Sequence, residues 1–113
     1  MNIEYFRNYC LALDFVEEDF PFGPDALVLK LKGKIFAITN LNDDTFKVNL
    51  KSDPEKALQL REQYDEIQPG FHMNKKHWNT VNFESRLSDK FLIELINDSY
   101  ELVRKSLPLK ERF

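Results

Sequence analysis

Leu27, Leu29 and Leu31 alternate with Val28, Lys30 and Lys32, the period-two pattern of a strand with one wetter face. Lys32-Gly33 follows as a tight turn, in which glycine takes positive φ at no steric cost. Ile35 to Asn40 reads as a returning strand, apolar on both faces for much of its length. The polar run Asn40-Leu41-Asn42-Asp43-Asp44 makes a second turn. Phe46, Val48 and Leu50 then alternate with Thr45, Lys47 and Asn49 in a third strand. Three successive antiparallel strands form a meander. Its apolar face needs a cover, and the flanking sequence has to supply it.

The flanks carry helical periodicity. Ile3, Phe6, Cys10 and Leu13 fall on one face and predict a helix over residues 2–13, with Asn2 as N-cap. Glu17-Glu18-Asp19 reads as a solvated acidic run, and Phe20-Pro21-Phe22-Gly23-Pro24 as a rigid aromatic turn that ends any helix. Ser52-Asp53-Pro54-Glu55 starts a second helix. Either Asp53 caps it with Pro54 at the first helical position, or Ser52 caps it with Glu55 completing a capping box. Ala57, Leu60 and Tyr64 share its inner face, and Pro69-Gly70 ends the region. Asn79 to Phe83 reads as a fourth strand with Val81 and Phe83 pointing one way. Ser88-Asp89 caps a last helix with the apolar stripe Phe91, Leu92, Leu95, Ile96, Leu102 and Val103. Leu107-Pro108 stops it, leaving Lys110 to Phe113 as a frayed end.

The order α-β-β-β-α-β-α predicts an α+β two-layer sandwich: an antiparallel sheet with helices on one face, in a single domain spanning residues 1–113. At 42% hydrophobic residues, including ten Phe, the chain has material for one core. The opposite sheet face is then either wet or a binding surface. The single cysteine, Cys10, lies on an apolar helix face and reads as a buried, inert thiol. With no basic, apolar leader and no apolar run near the ~20 residues that span a bilayer, the expectation is a cytoplasmic protein with no membrane partner.

A net charge of -3 argues against binding polyanions over the whole surface. The charge is segregated, however. Residues 1–25 carry six acids against one base, whereas residues 26–52 carry five lysines against two acids. Residues 69–81 add Lys75 and Lys76 without an acid. Lys30, Lys32, Lys34, Lys47, Lys51, Lys75 and Lys76 could therefore share one basic face, or could simply solubilise an exposed sheet and guard its edges.

The segment Pro69 to Val81 is the densest in chemistry-bearing side chains, holding both histidines, the only tryptophan and the Lys75-Lys76 pair. His72 and His77 are five apart, a spacing that suits a metal pair on neither a helix nor a strand. Trp78 beside Lys75, Lys76 and His77 fits a basic surface with a stacking platform, and equally a packed sheet residue. Asn74 reads as a turn residue tolerating positive φ. Gly occurs only at 23, 33 and 70, so there is no phosphate-cradling loop, and no nucleophile–base pair can be assigned. Neither an enzyme nor a bound cofactor is expected. The acids Asp14, Glu17, Glu18 and Asp19 offer a weak cation site, or else a solvated face.

The segment Pro69-Gly70-Phe71-His72-Met73-Asn74-Lys75-Lys76-His77-Trp78-Asn79-Thr80-Val81 resembles the hallmark of the MmcQ/YjbR family of small bacterial proteins. Phe20-Pro21-Phe22-Gly23-Pro24-Asp25, Val48-Asn49-Leu50-Lys51 and Ser99-Tyr100 fit as well, so the similarity covers nearly the full chain. The resemblance implies a frataxin-like (CyaY-like) fold and DNA binding through a double-wing arrangement of β-hairpins. Combined with the basic segments, it makes Lys47, Lys51, Lys75 and Lys76 the expected phosphate contacts. His72, Asn74, His77 and Trp78 shape or extend that surface. The expected form is a monomer. A metal-handling protein using the four acids and a protein-interaction module using Phe20 to Phe22 are the alternatives.

Overall fold

The computed structural model describes residues 1–113. Helix α1 spans Ile3–Leu11, and the Asn2 side chain accepts from the Tyr5 N–H at 2.8 Å, the cap expected there. Strands β1 (Val16–Asp19), β2 (Ala26–Leu31), β3 (Lys34–Asn40) and β4 (Lys47–Lys51) follow, then α2 (Pro54–Gln63), β5 (Ile67–Pro69), β6 (Trp78–Asn82) and α3 (Asp89–Ser106). All strand pairs are antiparallel in one six-stranded sheet of order β1-β2-β3-β4-β6-β5. The α+β two-layer arrangement therefore stands, and the expected order is extended by an edge strand at each side.

Both additional strands escape a periodicity argument. Glu17-Glu18-Asp19 is not an unstructured solvated run but lies in β1, paired along β2 from Val16↔Leu31 to Asp19↔Val28. An edge strand has one neighbour and open flanks, so it accepts charged side chains that a central strand would not. At three residues, β5 is too short to show a period, and Pro69 is compatible with an edge position.

The β2–β3 hairpin turns through Lys32 (φ 47°) and Gly33 (φ 84°), the paired left-handed conformation that matches strand twist. Helix α2 uses Asp53 as cap with Pro54 at its first position, one of the two alternatives in the sequence. Ser88 caps α3 by accepting from the Phe91 N–H at 3.1 Å. The chain end is not frayed. Leu109–Glu111 forms a 3-10 turn, and the Phe113 ring lies 4.7 Å from Phe15 and 6.4 Å from Tyr100 between centroids.

The helices cover the sheet face that carries Leu27, Leu29, Leu31, Ala37, Val48, Leu50, Ile67 and Val81, all buried. Leu92, Leu95, Ile96, Tyr100 and Val103 of α3 complete this core, and Phe6 and Cys10 enter from α1. Burial pushes the Cys10 thiol up to about 12, so it stays protonated and inert near neutrality. No helix is long and apolar enough to cross a membrane.

Candidate functional site

Strand alternation assigns the other face without ambiguity. Opposite the core lie Lys47, Asn49 and Lys51 of β4 and Trp78, Thr80 and Asn82 of β6, in the register Lys47↔Asn82, Asn49↔Thr80 and Lys51↔Trp78. Ile38 and Asn40 extend this surface onto β3, and Gln68 extends it onto β5. Trp78 is half-buried on this open face, across from Lys51. It is thus a sheet residue that still presents part of its ring to solvent.

Residues 70–77 rise from the end of β5 and return to β6. Gly70 donates to the Trp78 carbonyl at 2.9 Å, and Phe71 donates its N–H to Thr80 Oγ1 at 2.9 Å. The left-handed backbone falls on His72 (φ 60°) and not on the expected Asn74. Asn74 instead caps the turn: its Oδ1 accepts from the Lys76 N–H at 2.9 Å, and its carbonyl accepts from Trp78 N–H at 3.0 Å. His77 is half-buried, and its carbonyl accepts from the Ser52 N–H at 2.8 Å. His72 is exposed against the Phe71 ring, 4.1 Å between centroids.

Arg61, on α2, holds this loop from below, a role the sequence does not reveal. Its Nε donates to Asn79 Oδ1 at 2.6 Å, and its guanidinium also donates to the carbonyls of Lys75 and Trp78. Nothing in the spacing from residue 61 to residue 75 announces the contact, because it depends on where α2 crosses β6. Gly70 is the closest approach in the loop. A Cβ there would sit 2.8 Å from Trp78 Cβ and 2.9 Å from the Trp78 carbonyl oxygen. Gly70→Ala is expected to destabilise the protein by about 1–3 kcal/mol through overpacking against backbone and to change Trp78 fluorescence. A urea midpoint equal to that of the parent would show that the loop can yield.

The basic residues do not form one face. Lys30 lies on the open face but is bound to the Asp19 carboxylate at 2.5 Å. That ammonium, with the Phe20 N–H, holds the Asp19 carboxyl below its ordinary range. Lys32 donates to the Glu111 carbonyl and sits 4.5 Å from the Phe15 ring centroid, while Lys34 donates to the Ser106 carbonyl at 3.2 Å. Both are tied to the C-terminal segment. Lys47, Lys51, Lys75 and Lys76 form no ion pair within the chain. Of these four ammonium groups, that of Lys75 alone has a hydrogen-bond partner in the chain, the Gly70 carbonyl at 3.0 Å.

The acids of the metal-handling alternative are dispersed. Glu17 and Asp19 face the open side, whereas Glu18 faces α1, where Arg7 binds it through two 2.6 Å hydrogen bonds and lowers its pKa. Asp14 contributes its backbone carbonyl to the Tyr100 hydroxyl at 2.8 Å. Strand geometry thus splits a run that appears as a cluster in the sequence. No three His, Cys, Asp or Glu side chains in the molecule are grouped as metal ligands. Phe20 and Phe22, on the β1–β2 connection, are exposed.

Residues 11–102 match the family model described as YjbR. The chain is 42% identical over 106 residues to the uncharacterised protein YbdF of Escherichia coli O157:H7, covering 94% of this chain and 87% of that protein. It is 31% identical over 112 residues to the uncharacterised protein YjbR of Escherichia coli K12, covering 99% and 95%. Among solved structures, a Deinococcus radiodurans protein with the family-model domain DUF419 superposes with a TM-score of 0.92 at 35% identity, over 97% of this chain and 84% of that one. A Pseudomonas syringae protein superposes with a TM-score of 0.77 at 31% identity, over 90% and 98%.

Proposed function

This chain belongs to the YjbR family, and we propose that it is a DNA-binding module that contacts the phosphate backbone along the β4–β6 half of its open sheet face. The observation that carries this reading is the set of four ammonium groups free of carboxylate partners: Lys47 and Lys51 on β4, Lys75 and Lys76 on the adjoining loop. Arg7, Lys30, Lys56, Arg86 and Arg104 are paired with acids, whereas Lys90, Lys105 and Lys110, also without a carboxylate partner, lie on α3 and the C-terminal turn, off this sheet face. Unpaired cations beside a half-exposed Trp78 offer phosphate neutralisation together with a ring on which a base can stack. The acidic β1 edge disfavours phosphate contact at the other side of the sheet. In this reading the protein is a monomeric cytoplasmic binder, not a catalyst, and uses no cofactor.

Fluorescence anisotropy of a labelled duplex at two salt concentrations tests it. Binding is expected to weaken steeply with salt. The double variant Lys75→Ala, Lys76→Ala should weaken binding similarly across sequences and lower the salt slope by about two counterions. Absence of binding at low salt, where screening is least, overturns the reading. An unchanged slope in the double variant removes these two lysines from it.

A further inference from the structure

Between β3, β4, β6 and β5 the open sheet face is concave, and Phe71 on one side and Asp43 on the other shape it into a cleft of about 620 Å³. That volume lies within the range of about 300–1,000 Å³ typical of small-ligand sites. Asn40, Asn49 and Asn82 reach the cleft from three neighbouring strands.

Their amide oxygens are already engaged. Asn40 Oδ1 accepts from the Asn42 N–H, and Asn82 Oδ1 accepts from the Glu84 N–H, each at 2.9 Å. An amide nitrogen cannot accept a hydrogen bond, so these contacts fix which end of each side chain is the oxygen. Asn49 meets the hydroxyl of Thr80. Phe71 N–H donates to Thr80 Oγ1 at 2.9 Å, and that hydroxyl donates its own proton to Asn49 Oδ1 at 2.5 Å. All three NH2 groups are left without an acceptor in the chain, as donors to whatever occupies the cleft.

The charge of the lining narrows the occupant. Asp43, Asp65 and Glu66 contribute carboxylates against the single ammonium of Lys47, and Glu66 is paired with Arg86 at 2.6 Å. Phosphate is repelled from the interior of such a cleft, so the exposed Lys47 meets the backbone only at its rim. A cationic amine would leave three NH2 donors and the Lys47 ammonium facing like polarity. A neutral planar ring bearing carbonyl oxygens and a ring N–H satisfies both sets. The carbonyls accept from asparagine, the N–H donates to Asp43 or Asp65, and Phe71, 68% exposed, offers its face.

We propose that this cleft is a subsite for one unpaired keto nucleobase (thymine, uracil or guanine) of a bound strand, an inference that rests on the nucleic-acid reading above. In a duplex the same edge is occupied by its complement, so the strand must be single. Its phosphates then follow Lys51, Lys75 and Lys76 outside the carboxylate rim.

Labelled (dT)6, (dA)6 and an abasic deoxyribose-phosphate hexamer, titrated into the full chain at one low salt concentration, test it. (dT)6 is expected to bind about tenfold more tightly than the abasic hexamer, and more tightly than (dA)6. Phe71→Ala should bring (dT)6 down to the abasic level while leaving abasic binding unchanged. Asn49→Asp keeps an oxygen for Thr80 but replaces the NH2 donor with an acceptor, and should reverse the preference for (dT)6 over (dA)6. Equal binding of all three hexamers, weakening with salt, overturns the base subsite and leaves the backbone reading standing. Failure of all three hexamers while the labelled duplex still binds overturns the base subsite alone, and failure of hexamers and duplex alike overturns both.

Discussion

Phe83→Ala should lower the unfolding free energy by about 3–5 kcal/mol, the range for truncating a fully buried aromatic ring. Phe83 is 0% exposed and meets Phe6 and Phe46 edge-on, with ring centroids 5.6 and 5.3 Å away. Phe6 and Phe46 meet each other at 5.6 Å, closing a triangle of T-shaped contacts. The three rings come from α1, from the residue before β4 and from the residue after β6, so the cluster joins the first helix to the middle of the sheet. Backbone contacts brace the same point: Phe83 donates to the Phe46 carbonyl at 2.9 Å, and the N-terminal ammonium donates to the Phe83 carbonyl at 3.2 Å. Because each side of the cavity belongs to a different element, relaxation into it is limited. Phe46→Ala should cost less, since Phe46 is only half-buried and part of the space it leaves is solvent. Urea unfolding read by circular dichroism checks both. A loss at Phe83 below about 1.5 kcal/mol, the cost of a volume-conserving swap, would mean that α1 collapses onto the sheet.

The second large effect is expected from a single hydroxyl. Ser99 sits in the middle of α3, 0% exposed, with an apolar surround. Its Oγ donates to the Phe36 carbonyl at 2.5 Å and accepts from the Lys51 N–H at 2.8 Å. The β3–β4 ladder runs from Thr39↔Val48 to Ala37↔Leu50, so these two backbone groups lie just beyond its last pair. The helix hydroxyl takes the place of the missing cross-strand bond. Ser99→Ala removes one atom and leaves the buried Phe36 carbonyl and the part-buried Lys51 N–H without a partner, at about 1–3 kcal/mol for the carbonyl and about 1 kcal/mol for the N–H. A total loss of about 2–4 kcal/mol is expected, with faster hydrogen exchange at the Lys51 amide. Stability within about 0.5 kcal/mol of the parent, the scatter of ordinary surface substitutions, would show that the strands re-pair when the hydroxyl is gone. Lys51 carries one of the four free ammonium groups and Trp78 faces it, so the same variant reports on how firmly the candidate interface is held.

Much of this architecture is legible because its causes are local. The β2–β3–β4 meander follows from period-two alternation, the α1 and α3 starts from Asn2 and Ser88, and the α2 start from Asp53-Pro54. Those signals act over a few residues, and each element obeys them. The candidate site is legible only as a list. Lys47, Lys51, Trp78, Lys75 and Lys76 stand out by residue type, but neither their shared surface nor the dispersal of Lys30, Lys32 and Lys34 follows from spacing.

What tertiary structure decided is the set of contacts whose partners are far apart in sequence. Glu17-Glu18-Asp19 became an edge strand because β2 offered it an open ladder, and strand alternation then sent Glu18 to Arg7 and Asp19 to Lys30. Arg61 became the support of the loop over residues 70–77 because α2 crosses beneath β6. The concave cleft and its three free amide donors exist only once Asn40, Asn49 and Asn82 stand on adjacent strands, with each oxygen already bound. The sequence by itself therefore determined the layers and the inner face, because periodicity and capping are properties of consecutive residues. The outer face was decided by register and crossing, because these depend on which strands and helices meet.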